Sequence, residues 1–376
     1  MHDIKMVDLK GQYLKIKEEV DAAIAGVIEN TSFINGPDVK AFQSELEKYL
    51  GVKHVIPCAN GTDALQIALM ALNLQPGDEV ITSDFTFIAT VEVIKLLRLK
   101  PVLVDVYPDT FNIDIEKLEK AITEKTKAII PVHLFGQCTN MTAILSLAKK
   151  HNLFVIEDTA QAIGSQYFFP DGRSEFAGNM GNIACTSFFP SKNLGCFGDG
   201  GAMYTNDDDL AARLRLIVNH GMKTRYYYDD IGVNSRLDSI QAALLRVKLK
   251  YLDQYNKARQ KAASFYDTIL GVHPKIQIPS RSSFSTHTFH QYTIVANGFN
   301  RDELRLYLEK QGIPAMIYYP VPLHIQKAYA DCGFNAALYP VTDNLCKNVL
   351  SLPMHTELSE EQLLYITNHI LKFLQF

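Results

Sequence analysis

The stretch Val55-Ile56-Pro57-Cys58-Ala59-Asn60-Gly61-Thr62-Asp63-Ala64-Leu65 predicts a strand, a turn of small residues and a helix that continues through Leu72. The same alternation of strand and helical patterns recurs along the first half of the chain, with further strands predicted at Glu79–Thr82, Val102–Val106 and Ala128–Val132. Strands that alternate with helices form parallel sheets that the helices cover. The sequence therefore predicts an α/β fold with a largely parallel, helix-covered sheet.

The second half of the chain has a different organisation. A long helical pattern at Leu237–Ala258 leads into a smaller α+β domain, in which Thr288–Val295 and Ala315–Tyr318 are candidate strands. We place the boundary so that residues 1–250 form a large domain and residues 251–376 form a small C-terminal domain. The sequence shows no internal repeat and no low-complexity linker between them.

An acidic residue closes one of the buried strands. The run Phe154-Val155-Ile156-Glu157-Asp158 is apolar until its end, so Asp158 is expected at the carboxyl end of a parallel strand, where open α/β sheets bind ligands. A carboxylate there can pair with the protonated ring nitrogen of pyridoxal phosphate. Glu157 is expected to point away, because successive residues of a strand face opposite sides of the sheet. The alternative is that Asp158 only caps a following helix.

One lysine stands among small, hydroxyl-bearing and glycine residues in Ser187-Phe188-Phe189-Pro190-Ser191-Lys192-Asn193-Leu194-Gly195. Small residues let a bulky ligand approach the backbone, and a lysine amine that is removed from water can act as a nucleophile. Taken alone, the segment is more typical of a solvated loop, because most lysines lie on protein surfaces. Its combination with the other segments favours a chemical role for Lys192.

The turn after the first strand offers a phosphate site. Backbone N–H groups at the start of the helix, together with the Thr62 hydroxyl, suit a phosphate dianion. The glycine spacing and the loop lysine of nucleotide-binding loops are missing here, and Asn60-Gly61-Thr62 by itself is more often a simple turn. The phosphate site, the carboxylate and the lysine nevertheless follow one another in the order expected of a pyridoxal-phosphate enzyme.

With these segments in this order, the chain resembles the DegT/StrS family of sugar-nucleotide aminotransferases, which are pyridoxal-phosphate enzymes of fold type I, the fold of aspartate aminotransferase. The resemblance runs from Met6 almost to the C-terminus. It implies a large domain with a mostly parallel seven-stranded sheet and a small α+β C-terminal domain, near which the N-terminal residues pack. The motifs that carry it are Gly36-Pro37 with Phe42, Asn60-Gly61-Thr62-Asp63-Ala64-Leu65, Pro76-Gly77-Asp78-Glu79-Val80, Glu157-Asp158 with Ala160-Gln161, Ser187 with Pro190-Ser191-Lys192, Gly232-Val233-Asn234-Ser235-Arg236-Leu237-Asp238, and Tyr319-Pro320.

The resemblance implies a binding site for pyridoxal 5′-phosphate, with pyridoxamine 5′-phosphate as the alternate form of the cofactor. Lys192 is implied to be the catalytic residue that bonds covalently to the cofactor. Asp158 is implied to bind the ring nitrogen and Gln161 to lie beside the phenolic oxygen. Phe87 matches the aromatic residue that stacks on the ring, with an ordinary core residue as the alternative. The implied phosphate ligands are Gly61, Thr62, Ser187 and, from a neighbouring subunit, Asn234.

A phosphate ligand from a neighbouring subunit implies a homodimer with shared active sites. Lys223 and Arg225 form, with nearby tyrosines, a cluster suited to a diphosphate, or else an exposed loop with incidental tyrosines. Arg236 either reaches the partner's site or makes an interface ion pair. One further loop is predicted to face the substrate through Tyr318, Tyr319 and His324. Many relatives carry histidine where Tyr318 stands in this chain.

The motif Asn234-Ser235-Arg236-Leu237-Asp238 resembles relatives that aminate C3, rather than C4, of UDP- or dTDP-linked ketosugars. The predicted reaction transfers an amino group from glutamate or glutamine to such a sugar, in the synthesis of amino sugars for a surface polysaccharide or a related glycoconjugate. The alternatives are a 4-keto sugar or cyclitol aminotransferase and a non-catalytic regulatory relative. A dehydratase is disfavoured, because the dehydratases of the family carry histidine in place of Lys192.

Composition and charge argue against several other classes of protein. The chain has 376 residues, of which 47% are apolar, and a net charge of −4, which does not favour nucleic acid as a partner. Its histidines lack the paired spacing of a zinc enzyme, so no metal is expected. Six cysteines without C-x-x-C spacing and a charged N-terminus predict a cytoplasmic protein with reduced thiols, no signal peptide and no membrane span.

Overall fold

In the computed structural model, which describes residues 4–375, a seven-stranded sheet forms the centre of the larger part of the chain. The strands of this part are β1 (His54–Cys58), β2 (Glu79–Ser83), β3 (Lys100–Val104), β4 (Thr126–Ile130), β5 (Phe154–Asp158), β6 (Gln166–Phe168), β7 (Ser174–Phe176), β8 (Ile183–Ser187) and β9 (Gly201–Thr205). The sheet has the order β1-β9-β8-β5-β4-β2-β3, while β6 and β7 form a separate hairpin. Only β9 runs antiparallel to its neighbours in the sheet, so the predicted mostly parallel α/β fold is confirmed.

Two predicted strands lie two residues closer to the N-terminus than expected. Strands β3 and β4 end before Val106 and Val132, although the apolar pattern continues through both valines. Each valine makes only an isolated bridge, Val106 with Ile113 and Val132 with Asp158. The apolar residues therefore extend beyond the hydrogen-bonded strands, because both valines are buried at the carboxyl edge of the sheet without a continuous strand partner.

Helices cover both faces of the sheet, as the alternation of side chains along the strands requires. In β1, Ile56 packs into one hydrophobic cluster with α4 and α8, whereas Val55 packs into another with α3 and α9. The same alternation separates Met203 from Ala202 in β9. The helices of this part are α1 (Leu9–Lys15), α2 (Lys17–Glu29), α3 (Pro37–Leu50), α4 (Gly61–Ala71), α5 (Ala89–Leu96), α6 (Ile115–Ala121), α7 (Met141–His151), α8 (Asp208–Ile217) and α9 (Ser239–Leu249).

The C-terminal part builds a second core around a three-stranded antiparallel sheet. Ile4 joins this core beside Tyr266 and Leu350, so the N-terminal segment packs against the C-terminal part. The boundary after residue 250 remains our proposal, and residues 1–3 and 376 lie outside the described residues. The remaining elements are the hairpin β10 (Met222–Thr224) and β11 (Tyr227–Tyr228), then α10 (Leu252–Leu270), β12 (Ile276–Gln277), β13 (Tyr292–Ala296), α11 (Arg301–Lys310), α12 (Pro340–Asn348), β14 (Val349–Leu352) and α13 (Glu360–Phe373).

Three predictions for the second half need correction. The single helical pattern at Leu237–Ala258 is two helices, α9 and α10, because α9 packs into the core of the large sheet whereas the later turns of α10 pack into the C-terminal core. The strand predicted at Thr288–Val295 begins only at Tyr292, since Phe289 has a positive φ of 46°. Ala315–Tyr318 is not a strand: only Met316 pairs, in an isolated bridge.

Candidate active site

A cavity of about 680 Å³ opens at the carboxyl ends of the parallel strands. The loops after β2, β5 and β8 meet there with the start of α4, which is the expected place for a ligand in an open α/β sheet. The cavity brings together nine of the residues that were predicted to form the site from separate segments: Gly61, Thr62, Phe87, Asp158, Gln161, Ser187, Lys192, Tyr318 and Tyr319.

The start of α4 forms one end of the cavity. The Asn60 side chain caps the helix by accepting a hydrogen bond from the Asp63 N–H at 2.8 Å. The N–H groups of Gly61 and Thr62 belong to the first turn, where no carbonyl of the helix can accept them. A Cβ atom on Gly61 would lie 2.7 Å from the Ser187 Cβ, so the close approach of β8 requires glycine. This end of the cavity suits a phosphate dianion.

Asp158 lies on the floor of the cavity with 6% of its surface exposed. Its carboxylate accepts hydrogen bonds from the Thr90 hydroxyl at 2.8 Å and from the Ala160 N–H at 3.1 Å. Burial raises the pKa of Asp158, and these hydrogen bonds and the charge of Lys192 oppose the rise. Turns rather than a helix follow β5, so the alternative in which Asp158 caps a helix is wrong. A buried carboxylate in this position fits a cationic ring N–H.

Glu157 points to the other side of the sheet, which confirms the prediction from strand alternation. Its carboxylate contacts His133 Nε2 at 2.9 Å and accepts hydrogen bonds from the N–H groups of Gly178, Met180 and Gly181. None of these partners lines the cavity, and the three N–H groups belong to the segment just before β8. Glu157 therefore holds the chain before β8 in place.

Lys192 reaches the cavity from the loop after β8. Burial lowers the pKa of its amine to about 8, although the charge of Asp158 acts in the opposite direction. The next residue anchors the loop, because the Asn193 amide donates hydrogen bonds to Asn256 Oδ1 at 2.8 Å and to the Thr288 carbonyl at 2.9 Å. An amine with this pKa is partly neutral near neutral pH, so it can act as a nucleophile or as a base.

Aromatic and amide side chains complete the wall opposite Lys192. The Gln161 amide accepts a hydrogen bond from the Phe135 N–H at 2.8 Å and donates one to the Tyr319 hydroxyl at 3.1 Å, which fixes both side chains. Phe87 lines the cavity and is 54% exposed, so the alternative that it is a core residue is wrong. Phe85, two residues earlier, is buried as expected of a core residue.

Five predicted residues do not line this cavity within the part of the chain that the structure describes, and four of them lie at or near the protein surface. Lys223 and Arg225 are exposed on the β10–β11 hairpin, beside three exposed tyrosines. Asn234 is exposed where its backbone pairs with Asn219, and Arg236 is half-buried nearby. None of these four side chains lines the cavity within the single chain.

The prediction that His324 faces the substrate is wrong, because its side chain is buried against Asp84. The imidazole Nδ1 lies 2.6 Å from Asp84 Oδ2, and the His324 N–H donates to Asp84 Oδ1 at 2.9 Å. Burial raises the pKa of Asp84 to about 6, and the contacts with His324 oppose that rise. The sequence places these residues 240 positions apart, and no local pattern predicts their contact.

Sequence reasoning missed several polar residues of the site, among them Thr90 and His290. Thr90 donates to Asp158 from the first turn of α5, and a threonine in an apolar helix gives no signal for that contact. His290 lies in the cavity wall with its Nδ1 buried and without a partner among residues 4–375. Burial and the charge of Lys192 hold the pKa of His290 well below its usual value. His290 is thus a neutral polar group beside the lysine.

Residues 4–375 contain no cluster of three or more histidine, cysteine or acidic side chains that could hold a metal ion. Over the same residues, none of the helices has both the length and the apolar character needed to cross a membrane. All six cysteines are free.

Comparison with other proteins identifies curated relatives over nearly the whole chain. A "Pleiotropic regulatory protein" of Geobacillus stearothermophilus is 46% identical over 99% of this chain and 98% of its own length. The UDP-2-acetamido-2-deoxy-3-oxo-D-glucuronate aminotransferase of Pseudomonas aeruginosa is 46% identical over 94% of this chain and 95% of its own. A UDP-N-acetyl-3-dehydro-alpha-D-glucosamine 3-aminotransferase of Acidithiobacillus ferrooxidans is 44% identical over 98% and 97%.

Solved structures share the fold. DesV of S. venezuelae, in complex with a ketimine intermediate, superimposes with a TM-score of 0.95 at 37% identity over 100% of both chains. NtdA of Bacillus subtilis, with the cofactor PMP bound, gives a TM-score of 0.88 at 31% identity over 96% of this chain and 82% of its own. The model of the DegT/DnrJ/EryC1/StrS aminotransferase family matches residues 14–371. The chain belongs to this pyridoxal-phosphate-dependent aminotransferase family.

Proposed function

We propose that this chain transfers an amino group from glutamate or glutamine to the C3 keto group of a UDP- or dTDP-linked sugar. The observation that carries the proposal is the meeting of Lys192, with its pKa lowered to about 8, and the buried Asp158 in one cavity. Two of the relatives named above support C3, because their names specify 3-oxo or 3-dehydro sugars linked to UDP. We further propose that the product serves a surface polysaccharide or related glycoconjugate and that the enzyme works in the cytoplasm, where its free thiols stay reduced.

Residues of the cavity would hold pyridoxal phosphate at both of its ends. Gly61, Thr62 and Ser187 would bind the phosphate, since the start of α4 supplies N–H donors and the positive end of the helix dipole. Asp158 would pair with the ring nitrogen and Phe87 would cover one face of the ring. Gln161 would lie beside the phenolic oxygen, held there by the Tyr319 hydroxyl and the Phe135 N–H.

When bound, pyridoxal phosphate draws electrons away from the carbon of the donor that loses a proton. The neutral amine of Lys192 would take that proton and then donate a proton to the cofactor carbon on the other side of the transferred nitrogen. The buried carboxylate of Asp158 would keep the ring nitrogen of the cofactor protonated, and this positive charge would favour the withdrawal of electrons. His290 would exclude water from this wall of the cavity without adding a second positive charge beside Lys192, because its pKa is low.

The sugar nucleotide would bind against Tyr318 and Tyr319, which line the cavity. We propose that a homodimer completes the site, with Asn234 and Arg236 reaching the partner's cavity. The exposed β10–β11 hairpin supports this proposal: Tyr226, Tyr227 and Tyr228 are 70%, 71% and 62% exposed in the single chain. Such a concentration of exposed aromatic surface is typical of an interaction site. Lys223 and Arg225 on this hairpin would then bind the diphosphate.

One relative favours a second candidate function. The Geobacillus protein carries the name of a regulatory protein, at 46% identity over 99% of this chain. A regulatory protein would not need Lys192 and Asp158 in the same cavity, so the presence of both side chains here supports catalysis. A 4-keto sugar or cyclitol aminotransferase would use the same cavity and differ only in the acceptor.

The proposal is tested by the absorption spectrum of the purified protein loaded with pyridoxal phosphate. Glutamate or glutamine should shift the visible band of the cofactor into the near ultraviolet, and only the matching UDP- or dTDP-3-ketosugar should restore it. The Lys192→Ala variant should lose both changes and keep the circular dichroism of the fold, whereas the Lys53→Ala variant, which alters an exposed lysine, should behave as the wild type. Restoration of the band by a 4-keto sugar or a ketocyclitol would contradict C3, and a spectrum that no donor changes would favour the regulatory candidate.

A further inference from the structure

Two loops from opposite ends of the chain form adjoining walls of the cavity. The aromatic loop, residues 84–87, follows β2 and carries Phe87. The acceptor loop, residues 318–324, comes from the C-terminal part and carries Tyr318 and Tyr319. We propose that the pair Asp84–His324 is a latch that positions the acceptor loop against the aromatic loop, and that it acts on the reaction only through the residues it holds. The inference rests on the proposed function, since it names what shapes the acceptor side of that site.

Asp84 binds both the main chain and the side chain of His324. Both oxygens of the Asp84 carboxylate are engaged, one by the His324 N–H at 2.9 Å and the other by the imidazole Nδ1 at 2.6 Å. The two side chains are 0% and 1% exposed. A buried carboxylate that accepts both the backbone and the side-chain donor of one residue fixes its position and its orientation together.

The surroundings hold the imidazole in this orientation. The ring stacks on Tyr339, with 4.6 Å between ring centroids and 23° between planes. Leu323 packs with Val91 and Leu103 in a hydrophobic cluster that also contains Tyr339. The far nitrogen, Nε2, is buried and makes no hydrogen bond with any residue of the described chain; its nearest acidic neighbour is Asp343 Oδ1, at 3.6 Å.

The other end of the acceptor loop is held separately. The Tyr319 hydroxyl accepts a hydrogen bond from Gln161, and its ring contacts Phe85 at 5.8 Å and Phe87 at 6.4 Å between centroids. Between Tyr319 and His324 lie Pro320 and Pro322, which restrict the backbone of the segment. The loop is therefore a short stiff span fixed at both ends. Releasing the Asp84 end frees residues 320–324, while Tyr319 stays held by Gln161 and Lys192 and Asp158 lie on other segments.

This arrangement gives the latch a specific effect. Lys192, Asp158 and the start of α4 act on the cofactor and the small amino donor, and none of them contacts Asp84 or His324 by hydrogen bond or ion pair. Tyr319 keeps its own hydrogen bond to Gln161, so only the larger sugar nucleotide would need residues 320–324 in place. We therefore expect the loss of the latch to impair the acceptor half of the reaction and to spare the donor half.

The test uses the holoenzyme and three variants. Asp84→Ala removes both acceptor oxygens, whereas Asp84→Asn keeps one oxygen for the His324 N–H and a polar partner for the ring. Asp105→Ala is the matched control, because Asp105 is an equally buried carboxylate that also binds the C-terminal part, through the N–H groups of Val341 and Thr342. Hydrogen exchange followed by mass spectrometry reads the amides of residues 318–324, and separate half-reactions give KM and kcat for donor and acceptor.

The latch predicts that Asp84→Ala speeds exchange in residues 318–324 and raises the acceptor KM, each about tenfold, since a hydrogen bond to a charged group is lost. The donor half-reaction should change by less than about twofold. Asp84→Asn should lie close to the wild type in exchange and in acceptor KM. Asp105→Ala should lower the thermal unfolding temperature without faster exchange in residues 318–324.

Several results would overturn the latch. They are unchanged exchange in Asp84→Ala, equal losses in both half-reactions, or the same faster exchange in Asp105→Ala. If Asp84→Ala does not fold, Asp84→Asn decides instead. About tenfold changes in its acceptor KM and in its exchange would overturn the latch as well. Exchange is independent of the reaction: an enzyme that aminates no sugar at all would refute the proposed function, while the exchange data would still decide whether the latch exists.

Discussion

The hydrogen bond from Thr90 to Asp158 offers a direct test of how the cofactor site works. Replacing Thr90 with valine keeps the shape of the side chain and removes only the hydroxyl, which lies 2.8 Å from Asp158 Oδ2. Both residues are buried, so water cannot easily replace the lost donor. The ionised carboxylate depends on that donor more than the protonated one does, so the substitution raises the pKa of Asp158 further above its ordinary value.

The magnitude follows from the kind of hydrogen bond. A hydrogen bond to a charged group contributes about 1.5–3 kcal/mol, which corresponds to roughly a ten- to hundredfold change in a dissociation constant. Because only ionised Asp158 can pair with a protonated ring nitrogen, Thr90→Val should weaken the binding of pyridoxal phosphate by that factor. Binding should also weaken as the pH falls through the pKa of Asp158, and in the variant this weakening should begin at a higher pH than in the wild type.

The assay is a titration of the apoprotein with pyridoxal phosphate at several pH values, followed by the absorption of the bound cofactor. Thr90→Ser, which keeps the hydroxyl, should bind almost as the wild type does. Thr139→Val is the matched control, because Thr139 is also buried but its hydroxyl has no partner in the described structure. Equal affinity of Thr90→Val and the wild type at every pH would refute the role assigned to the Thr90–Asp158 hydrogen bond.

Two further predictions concern the packing at the phosphate end and the acid stability of the fold. Gly61→Ala should weaken cofactor binding by about 1–3 kcal/mol, because its new methyl group would lie 2.7 Å from the Ser187 Cβ; a cofactor titration measures this, and an affinity equal to that of the wild type would contradict it. The control is Gly26→Ala, in an open position of α2, which should stabilise the protein by about 0.5–1 kcal/mol in thermal unfolding. Burial holds the pKa of His287 at about 3, below the value of 6.5 in an unfolded chain, so its contribution to stability is complete above pH 6.5 and is lost as the pH falls towards 3. His287→Gln, which keeps an acceptor for the Phe289 N–H, should make the fall in unfolding free energy between pH 6 and 4 shallower by up to about 1.4 kcal/mol per pH unit in urea titrations, and an unchanged slope would show that His287 titrates normally.

The cofactor end of the site could be predicted from the sequence because its signals are local. Asn60-Gly61-Thr62 combines a helix cap with a glycine that the neighbouring strand requires, and both features lie within three residues. Asp158 and Glu157 follow from strand alternation alone. In each case the main chain fixes the direction of the side chain, so the pattern of residues determines the geometry.

The acceptor side could not be predicted in the same way, because its geometry depends on contacts between distant segments. His324 resembled a residue of a substrate-facing loop, and only the folded chain places it against Asp84, 240 positions away. Thr90 gave no signal, since it lies in helix α5 and its partner Asp158 lies on β5, 68 positions later in the sequence. The tyrosines of the β10–β11 hairpin are exposed in the single chain, and no local pattern of the sequence indicates which surface would cover them.

Lys192 and Asp158 influence each other's protonation through the attraction between their charges. Burial lowers the pKa of the lysine and raises that of the aspartate, while the attraction between their charges acts against burial on each of them. The outcome for Lys192 is a pKa of about 8, which leaves the amine protonated often enough to donate a proton and neutral often enough to accept one. If Asp158 were more exposed, its more polar surroundings would weaken its attraction to the charge of Lys192. Loss of the Thr90 hydroxyl would instead shift Asp158 towards its neutral form. The hydroxyl of Thr90 therefore tunes the lysine as well as the carboxylate, although its hydrogen bond is to Asp158 alone.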